Sequence, residues 1–96
     1  MRRYDDPVEV RRGMVREQEA PEQFLWKGRL WQVRAVLAHW VETGAWWTRS
    51  ETTADLLGER EMWRVEAARG ALDGGGVFDL AFDWSDGGWQ LVGCED

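Results

Sequence analysis

The chain is predicted to form an all-β domain, a small antiparallel SH3-like or open barrel with a short helical excursion around residues 50–58. Three features carry this expectation. Apolar and polar residues alternate with a period of two in several segments, the mark of strands with one face buried. Glycine-bearing turns recur at short spacing between those segments. Residues 48–61 are the least strand-like part of the chain and carry the helical excursion.

Taken in chain order, Pro7-Val8-Glu9-Val10-Arg11 reads as a first strand. Phe24-Leu25-Trp26 and Leu30-Trp31-Gln32-Val33 form a hairpin about Lys27-Gly28-Arg29, in which Gly28 supplies the turn. Residues 31–41 satisfy two periods. As a strand they place Trp31, Val33, Ala35 and Leu37 on one face; as a helix, Val33, Val36, Leu37 and Trp40 recur at i, i+3, i+4 and i+7. A long, bent strand is preferred because the flanking strands need a partner. In residues 48–61, Ser50 or Thr52 can cap a short helix that ends at Gly58. Met62-Trp63-Arg64-Val65-Glu66-Ala67 alternates again, with Trp63, Val65 and Ala67 inward. Phe78, Leu80, Phe82 and Trp84 share one face of the next strand, and Asp79 and Asp83 take the solvent face. A turn at Ser85-Asp86-Gly87-Gly88 leads to Trp89-Gln90-Leu91-Val92.

Length, charge and cysteine content narrow the class. The 96 residues imply a single domain over 1–96, large enough for a core without disulfide or metal. One cysteine, Cys94, cannot form an internal disulfide. No apolar run follows Arg2-Arg3, and no stretch approaches a membrane span, so a soluble cytoplasmic protein without membrane association is expected. The net charge of −6 is uneven: residues 1–69 hold all twelve Lys and Arg against twelve acids, and residues 70–96 add six acids and no base.

Catalysis finds little support. His39 and Cys94 are the only residues of their kind and have no local partner motif. There is no CxxC, HxxxH or HExxH spacing for a metal, and Gly74-Gly75-Gly76 is not followed by the Lys-Ser/Thr and helix of a phosphate loop. No cofactor, metal or enzymatic activity is expected.

Eight tryptophans dominate what remains. Fully buried they would hide roughly 1,200–2,000 Å², within reach of a single core. Neighbouring strand residues face opposite ways, however, so Trp46 and Trp47 cannot both point inward, and Trp31 and Trp40, nine apart, also diverge in an unbroken strand. Outer indoles beside arginines suit recognition. The chain is therefore expected to be a non-catalytic protein-interaction module, with Trp40, Trp46, Trp47, Arg29 and Arg64 as its binding residues. A single-stranded nucleic-acid binder is the alternative, since Arg29, Arg34, Arg49 and Arg64 interleave with Trp26, Trp31, Trp46, Trp47 and Trp63, although the acidic C-terminal strands oppose it. An exposed edge or apolar patch would also permit a homodimer.

The order of motifs carries a resemblance. Phe24-Leu25-Trp26-Lys27-Gly28-Arg29-Leu30-Trp31-Gln32-Val33 precedes Trp46-Trp47 and Met62-Trp63-Arg64-Val65-Glu66-Ala67. Gly76-Val77-Phe78-Asp79-Leu80 and Gly88-Trp89-Gln90-Leu91 complete the series. This resembles a family of small, uncharacterised actinobacterial proteins, over residues 4 to 93. It is also similar, over less of the chain, to the C-terminal region of the inactive Y-family polymerase-like subunit of the bacterial mutasome. There too a Trp-Trp pair precedes an aromatic-Arg-Val-Glu strand and a Gly-x-Trp/Tyr-x-Leu hairpin, and residues 48–61 stretch the spacing here. The second resemblance implies an accessory role in DNA-damage tolerance, through contacts with translesion polymerase subunits. Neither supplies catalytic residues.

Overall fold

Six antiparallel strands close on one another in the order of the chain. The computed structural model describes residues 2–43, 59–70, 74–84 and 87–95. Strands β1 (Arg2–Val15), β2 (Gln18–Trp26), β3 (Arg29–Thr43), β4 (Glu59–Ala68), β5 (Gly76–Asp83) and β6 (Gly88–Glu95) each pair with the next, and β6 returns to β1. The barrel of the sequence reading is thus closed. The expected excursion at 50–58 lies outside the described residues, as do Trp46 and Trp47. No helix among the described residues is long and apolar enough to cross a membrane.

Inward positions follow the period-two rule. Phe24, Val65, Ala67, Phe78, Leu80 and Leu91 are each no more than 1% exposed and fill the centre of the barrel. The predicted inward face holds on β4, where Trp63, Val65 and Ala67 are buried, and on the first part of β5, where Phe78 and Leu80 are. Phe82 is half-buried, and Trp84, expected on the same face, is turned to solvent beyond the end of β5, at 52% exposure.

The long β3 strand is formed as expected, but not with the expected face. Its register against β4 shifts between Val33 and Ala35 and again between Val36 and Ala38. Each shift inserts one residue, so Val33, Val36 and His39 stand opposite the inward Ala67, Val65 and Trp63. Leu37 is thereby turned to solvent, at 52% exposure. Trp31 packs on the core while Trp40 pairs with Met62 on the outer face, the divergence that their odd spacing requires.

The first hairpin has no glycine in its turn. β1 and β2 are joined by Arg16-Glu17, since Val15 pairs with Gln18, and both residues have positive φ (50° and 70°). That is the conformation of a type I′ turn, built without the Asn-Gly that usually supplies it. The Lys27-Gly28 turn has the same hand, with φ of 53° and 74°. Six strands in up-and-down order place Arg2, the 27–28 turn, Arg69 and Gly75 at one end of the barrel. The Arg16-Glu17 turn and Trp84 lie at the other.

Candidate functional site

The end that carries the 27–28 turn opens into a cavity of about 420 Å³. Its aromatic lining comes from four strands: Tyr4 of β1, Trp26 at the end of β2, Trp31 of β3 and, beneath them, Phe78 of β5. The rings brace each other. Tyr4 meets Trp26 edge-on at 5.2 Å between centroids, and Trp31 lies 4.8 Å from Phe78. Trp26 is further fixed by its Nε1–H, which donates to Asp6 Oδ2 at 2.9 Å. Trp31 Nε1 is buried and has no hydrogen-bond partner among the described residues.

Arg2, Lys27, Arg29 and Arg69 supply the polar rim, and among the described residues no carboxylate shares the lining with them. Two of these cations are seated on the aromatic walls. Lys27 Nζ lies 4.9 Å from the Trp26 centroid and 5.2 Å from that of Tyr4, and the Arg69 guanidinium lies 5.5 Å from Trp31. Such contacts hold a charge over a ring face at little entropic cost. Arg29 is exposed at the start of β3 and makes no ion pair among the described residues.

The described acids of the C-terminal strands do not line this mouth. Asp79 faces the outer surface, where Arg64 Nε and Nη2 donate to its two oxygens at 2.8 and 2.9 Å. Asp79 is only 6% exposed, so it is not the solvated strand residue expected from alternation. Glu95 pairs opposite Val77 on that same outer side, and Asp83 sits opposite Arg60 at the far end of β5. The three described acids of this segment, Asp79, Asp83 and Glu95, are thus not among the residues that line the cavity.

Of the binding residues expected from sequence, Arg29 lies at the mouth and Trp40 and Arg64 lie together elsewhere. The Arg64 guanidinium is 5.5 Å from the Trp40 centroid, in an outer groove of about 270 Å³ that also includes Arg3, Glu42, Arg60 and Asp79. Arg64 is occupied there: Asp79, by hydrogen bonds and charge, raises its pKa further, so it stays a fixed cation. Arg60 is likewise tied to Glu42, at 2.9 Å. Sequence reasoning did not single out Tyr4, Lys27 or Arg69. Their common signal is topological, since an up-and-down order brings the 27–28 turn, the 69–76 connection and the start of β1 to one end.

At the opposite end the chain gathers a different cluster. Glu61 accepts from Trp84 Nε1 at 3.2 Å, lies 3.4 Å from Arg12 Nη2, and meets His39 Nε2 at 2.9 Å. His39 stacks on Trp63 with centroids 3.7 Å apart. Burial pushes the Glu61 carboxyl up, but the hydrogen bonds from His39 and Trp84 and the charges of His39 and Arg12 outweigh it, leaving its pKa below the usual value. This histidine is thus a partner in an ion-pair cluster, distant along the strands from Cys94, which lines the basic mouth. Among the described residues no group of three or more His, Cys, Asp or Glu is placed to hold a metal ion.

The fold and this mouth define a small closed β-barrel with a basic, aromatic opening at one end. The chain belongs to a family described as a domain of unknown function, DUF6504, whose model matches residues 1–96. Comparison with curated proteins finds no match. Comparison with solved structures likewise finds none.

Proposed function

We propose that this domain is a non-catalytic recognition barrel that binds single-stranded nucleic acid at its basic aromatic mouth, as an accessory in DNA-damage tolerance. One observation carries the reading: a cavity of about 420 Å³ lined by four cations and four aromatic rings, with no carboxylate among the described residues that line it. Cations take phosphates and ring faces take bases, the combination on which sequence-tolerant single-strand binding rests. Guanidinium and ammonium groups hold anions without exchanging protons at neutral pH, so the rim suits binding rather than turnover. The damage-tolerance setting rests on the resemblance to the mutasome subunit alone.

The test is quenching of intrinsic tryptophan fluorescence by oligo(dT) at two salt concentrations. Each cation on a single strand contributes a slope of about −0.7 in log K against log salt, so four give about −2.8, or roughly 50-fold weaker binding from about 50 to 200 mM salt. The double variant Lys27→Gln, Arg29→Gln should halve that slope, leaving a loss of roughly sevenfold over the same range. An unchanged slope in the variant would remove the mouth from the interface.

The outer groove supports a second reading, a protein-interaction module for translesion polymerase subunits, because Trp40 and Arg64 are held side by side there. Absence of quenching at low salt, together with weaker capture of such a subunit by Trp40→Ala, would favour this reading over the first.

A further inference from the structure

The depth and closure of the mouth say which part of a strand it takes; this step rests on the nucleic-acid reading above. Phe24, Val65, Phe78, Leu80 and Leu91 fill the barrel behind the opening, and Phe78, which lines the cavity, is 1% exposed. A strand cannot thread through that packing. It enters and leaves by the same opening, between the 27–28 turn, Arg69 and the start of β1. The volume decides how much enters. Single-strand grooves that track a running backbone cover about 4–16 nucleotides, whereas about 420 Å³ lies near the small end of ligand pockets, roughly 300–1,000 Å³. One nucleotide fits; a run does not.

Charge points to the same end of the ligand. A phosphodiester carries one negative charge, but a terminal phosphate monoester carries about −1.5 to −2 near neutral pH. Four cations converge on the opening, two of them held over ring faces before any ligand arrives. We infer that the mouth is a pocket for a phosphorylated strand terminus, in which a single terminal nucleotide enters the barrel end and its monoester is held by Lys27, Arg29, Arg2 and Arg69.

Cys94 offers a reporter inside the pocket. It is the one thiol of the chain and lines the cavity; buried at 8% exposure, it is alkylated slowly by a maleimide, and filling the pocket should slow that reaction further. The experiment compares oligo(dT) with a 5′-phosphate, with a 3′-phosphate, with hydroxyls at both ends, as a closed circle, and as free thymidine monophosphate. Affinity is read by tryptophan quenching and occupancy by the rate of Cys94 alkylation. A phosphorylated end should bind about tenfold tighter than the hydroxyl-ended strand, the value of one additional charge-assisted contact, and should slow alkylation. The end that does so identifies the polarity. Arg29→Gln, at an exposed position without an ion pair among the described residues, should abolish the preference while leaving the fold intact. A circle that binds as tightly as the phosphorylated strand overturns the terminal assignment but leaves single-strand binding standing. Equal affinity for free thymidine monophosphate overturns it in favour of a nucleotide site. Failure of every probe at low salt overturns both this assignment and the nucleic-acid reading.

Discussion

Removing the Arg64–Asp79 pair tests whether Arg64 is scaffold or recognition residue. In Asp79→Ala, a carboxylate that is 6% exposed and receives two charge-assisted hydrogen bonds, at 2.8 and 2.9 Å, disappears. Two such bonds are worth about 1.5–3 kcal/mol each when intact. The Arg64 side chain is 42% exposed and regains water once released, which offsets part of that sum. A net loss of about 2–3 kcal/mol is expected. For a domain of this size that lowers Tm by roughly 10–20 °C. Urea unfolding of the wild type, Asp79→Ala, Arg64→Ala and the double variant closes a double-mutant cycle, and the coupling energy should be about 1.5–3 kcal/mol. Asp79→Ala should also free Arg64 from its place beside Trp40, changing the emission of that indole. A coupling below about 0.5 kcal/mol would place the pair among ordinary surface ion pairs. It would refute the conclusion that Arg64 is committed to the fold and return it to the pool of recognition residues.

Two further outcomes follow from other parts of the molecule. Arg16→Asn with Glu17→Gly should stabilise the barrel by about 1 kcal/mol, because both residues occupy left-handed conformations that cost other side chains roughly that much each; a higher urea midpoint at unchanged m-value is the readout. Glu61, whose folded pKa is lowered, contributes stability that is present above the unfolded carboxyl range and is lost as pH falls through the folded value. Glu61→Gln should therefore flatten the acid limb of the stability curve below about pH 4.5 relative to wild type, as followed by urea midpoints across pH.

Much of the barrel was legible in the sequence because inward residues on β4 and β5 alternate without interruption, from Trp63 to Ala67 and from Phe78 to Leu80. Alternation failed where the backbone departs from simple pleat. The two register shifts in β3 moved Leu37 outward and Val36 inward, and nothing in Ala35-Val36-Leu37-Ala38 marks a bulge. The Arg16-Glu17 turn was invisible for a different reason: composition signals a positive φ through Gly and Asn, and this hairpin uses neither. Asp79 was read as solvated because an acid on a polar face usually is; its burial depends on Arg64, which only the β4–β5 register brings opposite. For the site, Arg29 was recognised as a cation among indoles. Its companions Tyr4, Lys27 and Arg69 lie far apart in sequence and meet only when the barrel closes.

The seam between β2 and β3 is the shortest in the barrel's wall, four paired residues from Gln23–Gln32 to Trp26–Arg29, and it ends at the rim of the mouth. A ligand held by Arg2 of β1, Lys27 beyond β2 and Arg29 of β3 would act as a rivet across it. Occupancy should then be visible far from the phosphate, as slower amide exchange in the β2 and β3 backbone, with protection growing as RT ln(1 + [L]/Kd).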